Sequence, residues 1–97
     1  MTNALVVVAT IKVKTGHLEQ VKSEAQQLIN LTRIEPGCIE YVLHQDNQDP
    51  FVLVFVERWE SKDALESHIA SEHFQAFSSA TKHAVESLSI NQLTVIG

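Results

Sequence analysis

Positive charge is scarce in this chain: seven Lys and Arg stand against twelve Asp and Glu, a formal net charge of −5 over 97 residues. The seven are dispersed, and a phosphate-backbone partner needs a clustered basic face, so no nucleic-acid partner is expected. Cysteine occurs once, as Cys38, which leaves no internal disulfide and points to a reducing compartment, the cytoplasm. Long apolar runs are missing too. The stretch from Ala4 to Ile11 falls far short of the ~20 residues of a membrane helix, so no membrane partner is expected. Met1-Thr2-Asn3 lacks the basic region that opens a secretory leader. A glycine-rich phosphate loop, a G-x-S-x-G elbow and a Cys-x-x-Cys pair are all absent from the sequence, so nucleotide cofactors have no support.

What is present reads as one α+β domain spanning 1–97, with 44% hydrophobic and 20% charged residues, enough for a core of its own but not for two. Residues 4–13, ALVVVATIKV, are a β-branched run closed by Thr15-Gly16, a first strand. From His17 to about Arg33, Leu18, Val21, Ala25, Leu28, Ile29 and Thr32 recur every three or four positions, an amphipathic helix. Pro36 cannot continue it, and Gly37 permits a tight turn. Cys38 to about Gln45 makes a second strand. Asp46-Asn47-Gln48-Asp49-Pro50 closes a hairpin to a third strand, FVLVFVERWE, at 51–60. Ser61 caps a helix reaching about Ala70, with Asp63 in its first turn. After a break near Ser71-Glu72, Phe74, Phe77, Thr81, Ala84, Val85 and Leu88 mark another helical stripe, and 89–96 returns to strand composition. With right-handed crossovers, the order β-α-β-β-α-α-β predicts a ferredoxin-like fold, a four-stranded antiparallel sheet with its helices on one face.

The third strand adds a constraint. Phe51, Leu53, Phe55, Glu57 and Trp59 share one face and Val52, Val54, Val56 and Arg58 the other, so both faces are apolar over most of their length. Helices cover only one. A valine-rich face left in water marks an interface, and a homodimer joined through the open sheet faces is the expected partner.

Chemistry concentrates between Glu35 and Phe74. His68 follows Ala64 by four and Leu65 by three positions, so it turns inward; it is either a core histidine satisfied by one hydrogen bond, for instance to Glu57 or a backbone carbonyl, or a pocket base. His73 joins it only if the helix breaks at Ser71-Glu72, and is otherwise a surface or capping residue. As metal ligands the pair is poor: its spacing is not i, i+4, and no carboxylate or thiol completes an obvious set, so no metal is expected. Glu57 falls in an apolar row, as a histidine partner and proton holder or as one half of an ion pair. Trp59 is packing or the wall of a pocket for a flat ligand. Tyr41, placed on one face with Ile39 and Leu43, buries its ring while its hydroxyl seeks a partner. Cys38 has no cationic neighbour and reads as an inert thiol.

Taken together, Glu35-Pro36-Gly37-Cys38 with Tyr41, Glu57-Arg58-Trp59-Glu60-Ser61, Ala64-Leu65, His68, and Ser71 through His73-Phe74 resemble the antibiotic biosynthesis monooxygenase domain family, of the quinol monooxygenase type, over nearly the whole chain. The resemblance implies a ferredoxin-like protomer whose dimer closes an α+β barrel. It also implies oxidation of a quinol or hydroxylated aromatic with O2 and without metal, flavin or haem. In that chemistry the deprotonated substrate supplies the electrons, so the protein needs a base, an anion stabiliser and a dry pocket. His68 or His73 is then the base and Glu57 the group that tunes it, while Trp59, Tyr41, Phe74 and Phe77 bind the substrate. Haem-degrading relatives carry an asparagine and a haem-ligating histidine where this chain offers Ala9 and Ser78, which argues against haem. The alternatives are isomerisation of a small phosphorylated autoinducer sugar, needing a basic anchor that Arg33 and Arg58 do not form in sequence, and a non-catalytic small-molecule binder.

Overall fold

A computed structural model describes residues 4–97; Met1-Thr2-Asn3, on which the expectation about a secretory leader rests, lie outside the described residues. The elements are β1 (Leu5–Val13), α1 (Leu18–Thr32), β2 (Cys38–Gln45), β3 (Val52–Trp59), α2 (Lys62–Ala70), α3 (Glu72–Thr81) and β4 (Val85–Leu93), with a short 3-10 turn at Lys82–Ala84 between α3 and β4. The strands form one antiparallel sheet in the order β2-β3-β1-β4. This is the ferredoxin-like arrangement the element order predicts.

Local chemistry explains most boundaries. Ser61 Oγ accepts the Ala64 N–H and starts α2. The Asp46 carboxylate accepts the N–H groups of Gln48 and Asp49 and shapes the β2–β3 hairpin, whose far end is tied to β1 by the Lys12–Asp49 ion pair. At the other end of β2, Gly37 adopts φ 88°, and the Glu60 N–H donates to its carbonyl at 2.8 Å. A β-carbon at Gly37 would stand 2.6 Å from Ala64 Cβ, so the missing side chain is what lets this turn rest on α2.

Alternation divides the sheet cleanly. Val7, Ala9, Ile11 and Val13 of β1 and Leu53, Phe55, Glu57 and Trp59 of β3 are buried under the helices. From α1, Val21, Ala25, Leu28, Ile29 and Thr32 pack onto them, the stripe read from the sequence. Val6, Val8, Val42, Val52, Val54 and Val56 lie half-buried on the opposite face, which no helix covers.

Two expectations need correction. The helical stripe drawn through Val85 and Leu88 stops at Thr81. Val13 pairs with Val85, the Lys14 N–H donates to the Ala84 carbonyl, and the ladder with β1 runs from there, with a register shift at Lys12/Val13. Pairing with a neighbour has overridden a local period of 3.6, and the strand ends at Leu93. Ile39 does not share the face of Tyr41 and Leu43. A register shift between Cys38 and Glu40 leaves Ile39 without a cross-strand partner and 54% exposed, while Tyr41 pairs with Glu57 and turns inward.

Candidate active site

Ser71 controls the geometry. It ends α2 and begins α3 in extended conformation (φ −68°, ψ 154°), donating its hydroxyl to the His68 carbonyl and accepting the Phe74 N–H. That corner is the break needed to join His68 and His73, whose rings stand 6.1 Å apart between centroids. What joins them chemically is Glu35, in the turn after α1. One carboxylate oxygen, Oε2, lies 2.7 Å from His68 Nδ1 and 2.6 Å from His73 Nε2.

The sequence assigns no role to Glu35 and offers Glu57 or a backbone carbonyl as the partner of His68. The structure gives Glu57 a different neighbour: Trp59 Nε1–H donates to its Oε1 at 2.9 Å. The two residues are i and i+2 on one strand face, so the alternation that grouped them also carried the signal that they could meet. Glu35 had a subtler signal. The rigid Pro36 and the turning Gly37 after it aim its carboxylate back toward α2.

His68 is 1% exposed and boxed by aromatic rings: Trp59 at 4.8 Å and a 34° tilt, Tyr41 at 5.3 Å and Phe74 at 5.1 Å, both edge-on. Burial lowers its pKa, partly offset by Glu35, so the ring is neutral at neutral pH. A neutral ring beside a carboxylate carries its proton on Nδ1, leaving a lone pair on Nε2. That nitrogen has no hydrogen-bond partner, yet it is not sealed: among the described residues, Thr32 Oγ1 alone is a sealed side-chain polar atom without a bond.

His68 lines a cavity of about 320 Å³ between the sheet and helices α2 and α3. Its walls are mostly apolar, from Val7, Ala9 and Ile11 on β1 to Phe55, Leu65, Phe74 and Phe77, with Leu88 and Ile90 of β4 on the outer side. Tyr41, Glu57, His68 and Thr81 supply its buried polar groups, and Ser78, Lys82, Glu86 and Ser87 the exposed ones. Burial raises the Glu57 pKa to about 7, with Glu35 adding to the shift and the Trp59 hydrogen bond opposing it. Glu57 therefore holds or releases a proton near neutrality. Burial, then Glu57, also pushes the Tyr41 phenol up, which keeps it a donor. Burial, and then Glu35, raises the Cys38 thiol.

Of the expected site residues, His68, Glu57, Tyr41, Phe74 and Phe77 line this cavity. Trp59 does not. It is fully buried against His68, so it packs on that ring rather than on the cavity. His73 is off the cavity as well, holding Glu35 from the far side with its side chain 20% exposed. Arg33 donates to the Tyr41 carbonyl and Arg58 pairs with Glu40 on the open face, so neither reaches the cavity, where Lys82 is the one basic residue among the described walls. Ala9 and Ser78 both line it and offer no imidazole.

The family profile described as antibiotic biosynthesis monooxygenase matches residues 4–80. The chain belongs to that family, and membership supports a general monooxygenase role. Among its relatives is "Uncharacterized protein sll1783" of Synechocystis, 34% identical over 73 residues, which are 75% of this chain and 50% of that protein. The chain thus spans about half the length of that relative. "Probable quinol monooxygenase YgiN" of Escherichia coli is 29% identical over 99 residues, covering 92% of this chain and 95% of that one. The crystal structure of PA3566 from Pseudomonas aeruginosa superposes with a TM-score of 0.94 at 35% identity, over 100% of this chain and 98% of the other. No described helix is long and apolar enough to cross a membrane.

Proposed function

We propose that the chain oxidises a quinol or related hydroxylated aromatic with O2, without metal, flavin or haem, using His68 as base. One observation carries this reading: a neutral imidazole held on its Nδ1 side by Glu35 presents Nε2 to an apolar cavity that also contains a carboxyl group titrating near neutrality. The name of the YgiN relative supports a quinol as the substrate class.

His68 Nε2 takes the phenolic proton, and Glu35 stabilises the imidazolium that forms. The phenolate then passes an electron to O2, and the resulting radical pair joins as a peroxide on a ring carbon. Cleavage of the O–O bond leaves one oxygen on the ring as a carbonyl, and the other departs as water with two hydrogens from the substrate. All electrons come from the substrate. Glu57 passes a proton to the departing oxygen, Tyr41 donates to the phenolate, and Phe74 and Phe77 pack on the ring faces. His73 acts through Glu35, as a positioning residue.

The open valine face supports the second part of the reading, a homodimer joined sheet to sheet in the cytoplasm, whose partner would also cover Leu93, which pairs with Val6 of that face and is 45% exposed in the lone chain. Sedimentation should return a dimer, and Val54→Glu a folded monomer; a wild-type monomer at micromolar concentration overturns this part.

The test of the activity is oxygen consumption by chelator-treated protein against quinols and hydroxylated polycyclic aromatics. Uptake that requires protein and collapses in His68→Ala supports the proposal. Uptake no faster than autoxidation across the panel rejects it for those substrates and favours a binding role.

A further inference from the structure

Glu35 does more than orient a base. It supplies the carboxylate that the sequence did not offer for a metal set, and it does so on the side of His68 turned away from the cavity. His68 Nδ1, His73 Nε2 and a Glu35 oxygen lie within 4.8 Å of one another, and both ring nitrogens converge on that oxygen. Two imidazoles and one carboxylate are the donors that zinc and its neighbours in the first transition row accept. Metal–nitrogen and metal–oxygen bonds of about 2.0–2.2 Å set tetrahedral donors roughly 3.3 Å apart. From 2.6 and 2.7 Å the carboxylate needs to withdraw by less than ~1 Å, and the two ring nitrogens, 4.8 Å apart at most, need to close toward that spacing, a movement open to the partly exposed His73 ring rather than to the boxed His68. Glu35 sits in a turn, 12% exposed, and its side chain has the freedom to do so.

Further ligands have a way in. His73 opens on a shallow groove of about 70 Å³ between α1 and α3, lined also by Glu24 and Leu31, from which water can complete the coordination. Neither Glu35 nor His73 is a wall of the main cavity, so an ion held there does not touch a substrate.

We propose that Glu35, His68 and His73 form a site for one divalent transition-metal ion of the zinc or cobalt kind, behind the active-site histidine. Occupancy has a chemical consequence, which rests on His68 acting as the base. With Nδ1 on the metal, the ring proton moves to Nε2, the nitrogen the reaction needs bare. The loaded protein is silenced without its cavity being blocked.

Chelator-treated protein titrated with Co²⁺ alone tests the site through the visible ligand-field bands of the bound ion. Saturation at one equivalent is expected, with affinity at least ~10-fold weaker in His73→Ala and in Glu35→Gln. His17→Ala should change nothing, although His17 and His83 form a second, surface histidine pair with centroids 5.3 Å apart. His73 is partly exposed, so its removal leaves the core intact. Absent bands, or equal affinity in both site variants, overturn the site. Oxygen uptake on the same samples separates the site from the base: uptake lost on loading, restored by chelator and insensitive to the ion in His73→Ala supports silencing. Binding with uptake unchanged keeps the site and overturns His68 as base. If no sample consumes oxygen, the Co²⁺ titration still decides the site.

Discussion

Glu35 and Glu57 are two carboxyl groups at similar depth, 12% exposed for the first side chain and 4% for the second residue, yet their surroundings differ in kind. Glu35 stands behind His68 and meets two ring nitrogens; Glu57 stands on the cavity wall and meets one indole N–H. What differs is the partner. Glu35 can attract a proton onto a neighbouring imidazole and hold that ring in place. Glu57, with one neutral donor, is driven toward keeping a proton of its own. The backbone explains how each came to its partners. A turn residue can reach two helices at once, whereas a strand residue is confined to its own row.

Removing the ring that the two carboxyls share should have the largest effect. His68→Ala is expected to lower kcat by ~10²–10⁴-fold, measured as oxygen uptake, with added imidazole restoring part of the loss. A full-rate variant would end the reading of both carboxyls as parts of one acid–base site. Next comes Gly37→Ala, which removes no site side chain but shifts the turn carrying Glu35. A positive φ and a contact of 2.6 Å with Ala64 predict a loss of about 2–4 kcal/mol in stability, read from urea denaturation. Restored stability in an added Ala64→Gly change would confirm the contact as the cause. Glu35→Gln should cost ~10–10²-fold in kcat with little change in KM, and should displace the pH profile of kcat. A loss confined to KM would place Glu35 in substrate binding instead.

The sheet, its two faces and the Ser61 cap were legible because each depends on neighbours in sequence: alternation for strands, a hydroxyl three residues before an N–H for the cap. The Ser71 corner was legible for the same reason. Glu35 was not, because 33 residues separate it from His68 and no local pattern reports which carboxylate will reach a distant ring. Trp59 was placed on the correct face but on the wrong side of His68, since alternation tells inward from outward and nothing about which inward residue fronts a cavity. The start of β4 was hidden by a competing pattern, Val85 and Leu88 falling in phase with α3 until pairing with β1 claimed them. What the sequence conveys poorly is the long-range choice between partners.

The smallest expected effect sharpens the contrast between the two carboxyls through stability rather than rate. Glu57 holds its proton more tightly in the folded chain, at about 7, than at its ordinary value of 4.5. Below about pH 4.5 it is protonated in both states and costs nothing. As pH rises from there through 7 the unfolded chain releases the proton first, so folding stability falls and then levels off. The fall from this group amounts to about 1–3 kcal/mol. Glu57→Gln removes it while keeping an oxygen for the Trp59 N–H. The difference between variant and wild type, from urea denaturation at pH 5 and pH 8, should therefore grow by that amount in favour of the variant. Glu35→Gln should show no such gain, because its carboxylate oxygen already meets two ring nitrogens. Parallel curves for wild type and Glu57→Gln would mean that Glu57 is ionised in the folded chain at pH 5, and would remove it as the proton donor to the departing oxygen.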